Sequence, residues 1–193
     1  MSSDSLIRMF TWNIPYSDGS NRYINIIIRK EGLETSSFRL DNNKGLEGIS
    51  SASTLEKERW YGALYYDILP FSTRDATCYI LLGIDFNNLF INSKVIEVMY
   101  FNDRGEIMFG KPCIYDGTEI VNRLIFRYSA GASMLLRFDK ARQRVIFDHL
   151  APAEPIFEGQ YQYYGPDFTH DALVLKDGQW ILTKEIDIRN EER

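Results

Sequence analysis

The sequence contains few of the residues that most often carry metal or redox chemistry. Among its 193 residues are only two histidines and two cysteines. The spacing of Cys78 and Cys113 fits no zinc or redox motif. It leaves a disulfide open but favours two free thiols, since cysteine is among the residue types most often buried. We therefore expect no metal ion and no cofactor.

The chain also lacks a long apolar run and an excess of basic residues. No run approaches the roughly 20 apolar residues of a membrane-spanning helix, so no transmembrane segment is predicted. The opening residues, MSSDSLIRMF, resemble no signal peptide. We expect a cytoplasmic protein, or an exported one (periplasm or cell envelope) if a signal peptide was removed. The net charge of −5 gives no electrostatic reason to expect nucleic acid or an anionic membrane as partner.

Motifs of the common enzyme classes are missing as well. The sequence has no nucleophile elbow, phosphate-binding loop or dinucleotide fingerprint. The segment SAGAS, residues 129–133, is a turn of small residues. The oxygen-rich segments DFNN, NDRGE and DGTE lack the spacing of a calcium-binding EF-hand loop. Catalysis is therefore less favoured than binding.

Short apolar runs rich in aromatic residues are abundant. Aromatic residues are 14 % and hydrophobic residues 45 % of the chain, which is enough for a sizeable core. From Trp60 onward these runs alternate with turn signals such as NDRG and KDG, a pattern typical of antiparallel strands. We predict an all-β fold, an antiparallel meander of about ten strands. The meander is closed into a barrel or folded as a sandwich, since both satisfy the same alternation.

Residues 1–193 are predicted to form a single β domain with three parts. LIRMFTW and RYINIIIRK form a hairpin within residues 1–30. Residues 31–58 are polar and form a connecting loop, in which STLE at 53–56 matches a capping box and predicts a short helix. Residues 59–189 form the main meander.

Alternation along the runs predicts which faces are buried. In RLIFRYS, Leu124, Phe126 and Tyr128 fall on a core face. Arg123 and Arg127 fall on the other face, which we expect to be directed to water. WYGALYY and CYILLGIDF are apolar on both faces, which predicts central strands.

Several of these runs together resemble a known family. WYGALYY, YILLGID, KVIEV, FDHLAP and YGPDF are similar to segments of a family of uncharacterised proteins from Bacteroidetes-type bacteria, and the early FTW is similar too. The resemblance covers the chain from Trp60 to Ile188. It implies a bacterial origin and suggests export. It supports the strand interpretation and carries no established activity or catalytic residue.

Each of the two histidines stands next to an aspartate: His149 follows Asp148, and His170 precedes Asp171. Successive strand residues point to opposite faces, so neither couple is a local pair. If the two segments are neighbouring strands, both histidines could meet Asp148, Asp167 or Asp171 in a two-histidine, one-carboxylate metal site. Hydrogen-bonded residues at strand ends are the simpler interpretation. His149, His170 and Asp171 are the candidate catalytic residues.

The segment YQYYGPDFTHD, residues 161–171, is an aromatic-rich loop. Aromatic rings supply contact area at a low entropic cost, and tyrosine adds a hydroxyl, so a sugar, a peptide or an aromatic molecule is a plausible ligand. The alternative is a structural turn fixed by Pro166. The candidate ligand-binding residues are Tyr161, Tyr163, Tyr164, Asp167 and Phe168.

Three carboxylates, those of Asp67, Asp85 and Glu97, lie in or beside apolar strands, where a charge is costly unless paired. Arg123 and Arg127 are the candidate partners. Two such acids could instead perform acid–base hydrolysis, as in glycosidases, but salt bridges are the favoured interpretation.

The sequence thus favours a non-enzymatic β-domain that binds a small molecule or a protein. The alternative is a metal- or carboxylate-dependent hydrolase that uses His149, His170 and a nearby aspartate.

Overall fold

The computed structural model of the protein describes residues 1–41, 49–86 and 88–188. The described residues form strands and three short 3-10 helices. The strands are β1 (Ile7–Pro15), β2 (Asn21–Glu31), β3 (Glu34–Asp41), β4 (Leu55–Glu56), β5 (Leu64–Ser72), β6 (Thr77–Asp85), β7 (Ile91–Phe101), β8 (Ile107–Phe109), β9 (Ile114–Tyr115), β10 (Ile120–Val121), β11 (Arg123–Ser129), β12 (Leu136–Asp139), β13 (Arg144–Pro152), β14 (Tyr164–Lys176) and β15 (Gln179–Thr183). The 3-10 helices are η1 (Lys57–Arg59), η2 (Pro155–Phe157) and η3 (Tyr161–Tyr163).

The strands form three sheets. The first sheet has the order β1-β2-β3, and the third sheet has the order β10-β9-β15-β14-β13-β12. The middle sheet has the order β4-β8-β7-β6-β5, with β11 also paired to β7. All strand pairs of the described residues are antiparallel except β15 with β9. The predicted all-β antiparallel fold is confirmed, and the described strands stack as a sandwich without closing into a barrel.

The middle sheet lies between the other two and buries side chains on both of its faces. Along β6, Tyr79 and Leu81 pack into the core shared with the first sheet. Cys78, Ile80 and Leu82, the alternate residues, pack into the core shared with the third sheet. A strand buried on both faces needs a continuous apolar sequence, so the prediction that CYILLGIDF is a central strand is confirmed.

The strand β7 holds the middle sheet together because three strands pair with it. β6 lies along one edge of β7, while β11 and β8 follow one another along the other edge. This arrangement places Arg123 of β11 directly opposite Glu97 of β7. Both side chains are fully buried, so the prediction that Arg123 is directed to water was wrong. The core between the first and middle sheets covers that face of β11.

The predicted polar loop at 31–58 differs from the structure. Glu34–Asp41 forms β3, which pairs with β2 along its whole length. The sequence ETSSFRLD suffices for an edge strand because Phe38 and Leu40 alone face the core. The helix expected at STLE is reduced to the single turn η1, and no side chain caps it. Residues 42–48 of the predicted loop lie outside the described residues.

WYGALYY was also predicted to be a central strand, and this prediction was wrong. The strand β5 begins only at Leu64 and lies at an edge of the middle sheet. The residues before it are apolar for another reason. Trp60, Tyr61 and Ala63 fill the core between the first and middle sheets without pairing in a strand.

Both cysteines, Cys78 and Cys113, are buried and free, as the sequence favours. Burial raises the pKa of the Cys113 thiol to about 12, so this thiol stays protonated and unreactive. Among the described residues, no helix is long and apolar enough to span a membrane.

Candidate functional site

The strands β13 and β14 position both aspartate–histidine couples of the sequence. The two strands pair antiparallel, with Asp148 directly opposite His170. The register then shifts between Asp148 and Leu150, which leaves His149 at a β-bulge. Bulges change the direction of side chains and often lie beside functional sites.

Each histidine contacts the aspartate of the other strand. His149 Nδ1 lies 3.0 Å from Asp171 Oδ2. His170 Nε2 lies 3.2 Å from Asp148 Oδ1. The two couples that are adjacent in sequence therefore become two crossed pairs in space, each linking β13 to β14.

Of the two pairs, the His149 pair has the more accessible imidazole and so suits a general base better. The His149 side chain is 44 % exposed, whereas that of Asp171 is 6 % exposed. The Glu185 N–H donates to Asp171 Oδ1 at 3.0 Å and orients the carboxylate. A buried, oriented carboxylate that holds Nδ1 of an exposed imidazole leaves Nε2 as the nitrogen for proton transfer.

The metal site considered from the sequence is not assembled. Among the described residues, no group of three or more histidine, cysteine, aspartate or glutamate side chains could hold a metal ion. His149 and His170 belong to separate pairs. Asp167, the third candidate carboxylate, accepts hydrogen bonds from the N–H and the hydroxyl of Thr169 at 2.9 and 2.7 Å.

The aromatic side chains that precede β14 form two contacting couples. The ring of Tyr163 stacks on Phe157 with 4.2 Å between centroids. The ring of Tyr161 lies 5.2 Å from that of Tyr164 and beneath the guanidinium of Arg127 at 5.5 Å. These contacts tie η2 and η3 to β11 and β14. The predicted aromatic loop is therefore an ordered surface.

A cleft of about 410 Å³ lies beside these couples. This volume is within the usual range for small-molecule sites, roughly 300–1,000 Å³. One wall consists of Gln162, Tyr163 and Tyr164 followed by Gly165 to Asp167, and the other consists of Ser129 with Ala151 to Ala153. Tyr163 is 44 % exposed, so its ring is accessible to a ligand. Three of the five predicted ligand-binding residues, Tyr163, Tyr164 and Asp167, line the cleft.

The backbone hydrogen bonds of this region hold the two walls together. The Ala153 N–H donates to the Tyr163 carbonyl at 2.9 Å, and the Tyr164 hydroxyl accepts from the Gly159 N–H at 3.0 Å. Pro152 pairs with Tyr164 in the sheet register. The cleft is therefore formed by strand ends that are fixed before any ligand binds.

The other two predicted ligand-binding residues lie next to the cleft. Tyr161 contributes its contact with Tyr164, and Phe168 follows Asp167. Phe168 is 91 % exposed and has a φ of +71°, a left-handed conformation that is uncommon for a large side chain. Phe168 lies in β14 where the register with β13 shifts, and strained backbone of this kind often lies at functional sites.

Among the described residues that line the cleft, Asp167 carries the only charge. The hydrogen bond from the Thr169 hydroxyl is the main cause that lowers the pKa of Asp167, and the charge of His149 contributes to the same direction. Asp167 is therefore ionised at neutral pH and acts purely as a hydrogen-bond acceptor. A neutral ligand with hydroxyl or N–H donors suits such a lining better than an anionic one.

The three strand carboxylates lie away from this cleft. Arg123 Nε is 3.0 Å from Glu97 Oε2, which confirms the predicted salt bridge. Asp85 accepts a hydrogen bond of 2.9 Å from the Tyr23 hydroxyl. Asp67 lies at a bulge of β5, where its carboxylate accepts from the Ile68 N–H. Each of the three carboxylates thus has a hydrogen-bond or ion-pair partner within the protein.

Sequence reasoning missed the second wall of the cleft. Ser129 is the last residue of β11, Ala151 and Pro152 end β13, and Ala153 directly follows that strand. These residues are small and carry no chemical motif, so only the strand pairing reveals their role. The turn SAGAS, which begins at Ser129, was the available signal, because small residues leave open space beside a neighbouring loop.

Comparison of the chain with protein-family models, with curated proteins and with solved structures found no match. The resemblance to the Bacteroidetes-type family, with the bacterial origin and export that it implies, therefore stays a prediction.

Proposed function

We propose that the protein is a non-enzymatic binding protein that takes a neutral saccharide in the cleft between β13, β14 and the end of β11. The observation that carries the proposal is the half-exposed Tyr163 ring, which is stacked on Phe157 and faces a cleft of about 410 Å³. A sugar ring has an apolar face that packs on such a ring, and the stacked arrangement orders the tyrosine in advance.

The polar groups of the cleft suit the hydroxyls of a sugar. The Asp167 carboxylate accepts hydrogen bonds, the Gln162 amide donates and accepts, and the Ser129 hydroxyl does both. The lining contains no basic side chain within the part of the chain that the structure describes. A phosphate or carboxylate ligand would therefore meet the Asp167 charge without a compensating partner, which disfavours anionic sugars.

The test is ligand-observed NMR with a panel of neutral and anionic oligosaccharides, with short peptides as the competing class. We expect saturation transfer to at least one neutral saccharide, and its loss in Tyr163→Ala. Tyr16→Ala is the matched control because Tyr16 is an exposed tyrosine of similar accessibility outside the cleft. Transfer only to peptides, or equal transfer in both variants, would show that the proposal is wrong.

A second candidate function, hydrolysis, rests on the His149–Asp171 pair. His149 is half-exposed, its Nδ1 is held by a buried carboxylate, and it interacts electrostatically with Asp167 of the cleft. In this function Nε2 would remove a proton from a water molecule beside the bound substrate. His149→Gln should abolish hydrolysis of a bound saccharide, while His170→Gln, in the other crossed pair, should retain it. Absence of turnover with a bound saccharide would leave binding as the function.

A further inference from the structure

The outer face of the first sheet is apolar, and among the described residues none of its apolar side chains belongs to either core. Alternation turns Ile7, Tyr23, Ile27 and Leu40 towards the middle sheet. The opposite face carries the exposed Phe10, Trp12 and Ile14 of β1, the partly exposed Ile26 and Ile28 of β2, and Ile24, which is buried. Phe10 is 46 % and Trp12 is 41 % exposed. The outer face of an antiparallel sheet is usually polar, so this patch indicates an interaction surface.

The charges on the same face are opposite in sign to those of the whole protein. By the same alternation and register it carries four basic side chains, those of Arg8, Arg22, Lys30 and Arg39. Among the described residues of its strands the acidic side chain is Asp41, which forms salt bridges with Arg22 at 2.7 Å and with Arg39 at 3.3 Å, and the exposed Asp18 lies in the adjoining β1–β2 turn. The chain as a whole has a net charge of −5. The net charge therefore does not describe this face, which is apolar in its centre and basic at its border.

Two exposed apolar residues extend the face at one end of the sheet. Leu89 and Phe90, in the turn before β7, are each 70 % exposed. The Leu89 side chain occupies the space where a side chain of Gly19, in the β1–β2 turn, would lie. Tyr16, in that same turn, is half-exposed. The apolar surface thus continues from the sheet onto two adjoining turns.

We propose that this surface, which we call the basic apolar face, docks the protein onto an anionic lipid surface. It comprises the outward residues of β1 and β2, with Tyr16, Leu89 and Phe90 at its end. Tryptophan and tyrosine are enriched at the membrane–water interface, and projecting leucine and phenylalanine enter the acyl region. Arginine and lysine around an apolar patch are attracted to anionic headgroups. This proposal stands independently of the saccharide cleft.

A second copy of the chain fits this face less well. In a symmetric dimer the same surface patch meets itself, so the basic borders would face each other. Like charges in such positions oppose association. An anionic lipid surface meets both the apolar centre and the basic border with complementary chemistry.

The experiment is co-sedimentation of the full chain with two kinds of vesicles. One kind is phosphatidylcholine alone, and the other contains about three parts phosphatidylglycerol to seven parts phosphatidylcholine. We expect binding to the anionic vesicles and little binding to phosphatidylcholine. Trp12 fluorescence should shift to the blue on binding, and it can be followed because Trp60 and Trp180 are 2 and 3 % exposed.

Three variants separate the apolar and electrostatic contributions. Leu89→Ser/Phe90→Ser changes two turn residues that pack little, and it should reduce vesicle binding at least tenfold by removing the inserted side chains. Arg8→Gln/Lys30→Gln should reduce it about fivefold per removed charge. Tyr163→Ala is the control and should bind vesicles as the unaltered protein does. Circular dichroism and melting temperature verify the fold of each variant.

Three results would overturn the proposal. The first is no binding to anionic vesicles, and the second is equal binding to both kinds of vesicle by all folded variants. The third is a concentration-dependent dimer that Leu89→Ser/Phe90→Ser dissociates, without vesicle binding. That result would assign the basic apolar face to self-association.

Discussion

At the scale of single residues, the ion pair between Arg123 and Glu97 is a contact on which the stability of the fold depends strongly. Both side chains are fully buried between the sheets, and Arg123 Nη1 also donates to the Ser50 carbonyl at 2.6 Å. Removal of one partner leaves the other charge buried and uncompensated. We predict that Arg123→Met lowers the free energy of unfolding by about 3–5 kcal/mol, measured by urea denaturation.

Two further variants separate this effect from a general loss of side-chain packing. Glu97→Leu/Arg123→Met removes both charges and should recover much of the lost stability, because an apolar pair can replace a buried ion pair. Lys57→Met, which removes the exposed Lys57–Glu58 pair, should have little effect. If Arg123→Met and Lys57→Met had the same effect, the buried pair would not have the importance described.

The carboxyl of Asp85 predicts how stability depends on pH. Burial raises the pKa of Asp85 from 3.8 to about 6, although the hydroxyls of Tyr23 and Tyr61 and the charge of Arg127 oppose this shift. Burial likewise raises the pKa of Glu97 to about 7. A carboxyl whose pKa is higher in the folded state binds a proton more tightly when folded. Its contribution to the free energy of unfolding is therefore complete at a pH below its pKa in the unfolded state. That contribution is lost as the pH rises through its pKa in the folded state.

We predict that the contribution of Asp85 to the free energy of unfolding falls by on the order of 3 kcal/mol between about pH 4 and about pH 7. Asp85→Asn removes this titration and retains an acceptor for the Tyr23 hydroxyl. The difference in unfolding free energy between the unaltered protein and this variant should change with pH by that amount in urea titrations. A difference that is constant across the range would contradict the raised pKa.

At the scale of elements, the end of β8 fits closely against the segment before β4. Gly110 has a φ of +84°, and an added Cβ would lie 2.3 Å from the Ser53 carbonyl oxygen and 2.7 Å from Arg123 Nη2. The Thr54 hydroxyl donates to the Gly110 carbonyl at 3.0 Å. This contact brings the chain after residue 49 onto the edge of the middle sheet and buries the Arg123 guanidinium.

We predict that Gly110→Ala destabilises the fold far more than Gly32→Ala does. Gly32 also has a positive φ, +61°, but no atom lies within 4 Å of its added Cβ. Gly32→Ala should therefore lower the free energy of unfolding by only about 1–2 kcal/mol, because alanine is less stable than glycine in the left-handed conformation. Gly110→Ala adds a clash with backbone that cannot move away freely. Thermal unfolding of both variants makes the comparison, and equal melting temperatures would contradict it.

Elements whose burial is periodic could be predicted from the sequence, and those defined by long-range contacts could not. CYILLGIDF shows its burial on two faces directly, and RLIFRYS shows the core face of Leu124, Phe126 and Tyr128. The sequence ETSSFRLD has only two core residues, so its pairing with β2 was hidden. Whether Arg123 meets water or Glu97 depends on β11 pairing with β7, which chain order does not reveal.

The candidate site was predictable to a similar extent. The aromatic content of residues 161–168 indicated a contact surface, and three of the five candidate ligand-binding residues line the cleft. The alternation rule correctly separated each histidine from the aspartate beside it in sequence. The crossed pairing depends on the register of β13 with β14 and on the bulge at His149, and one sequence carries no measure of register.

At the scale of the whole molecule, one end of the sandwich brings the two proposed surfaces near each other. Leu89 packs beside Gly19, and the Ala130 N–H donates to the Phe90 carbonyl at 2.9 Å. The turn that contains Ala130 continues to Ala132, whose Cβ lies 3.9 Å from the position of an added Cβ on Gly165 in the cleft wall. The basic apolar face and the saccharide cleft thus adjoin through consecutive turns.

The surfaces nevertheless use different residues, so their functions should separate. Tyr163→Ala is expected to lose saccharide binding and keep vesicle binding, and Leu89→Ser/Phe90→Ser is expected to do the reverse. Each variant is the control for the other. Loss of both activities in one variant with an unchanged melting temperature would show that the two surfaces form one site.

Site-resolved hydrogen–deuterium exchange with and without a bound neutral saccharide tests the proposed binding cleft most directly. Ligand contact should slow amide exchange in the segments that form its walls, residues 129–132, 151–153 and 162–168, and leave β1 to β3 unchanged. Protection confined to these segments is the result that we predict. Protection of other segments only, or no change at a saturating saccharide concentration, would contradict the assignment of the cleft as the binding site.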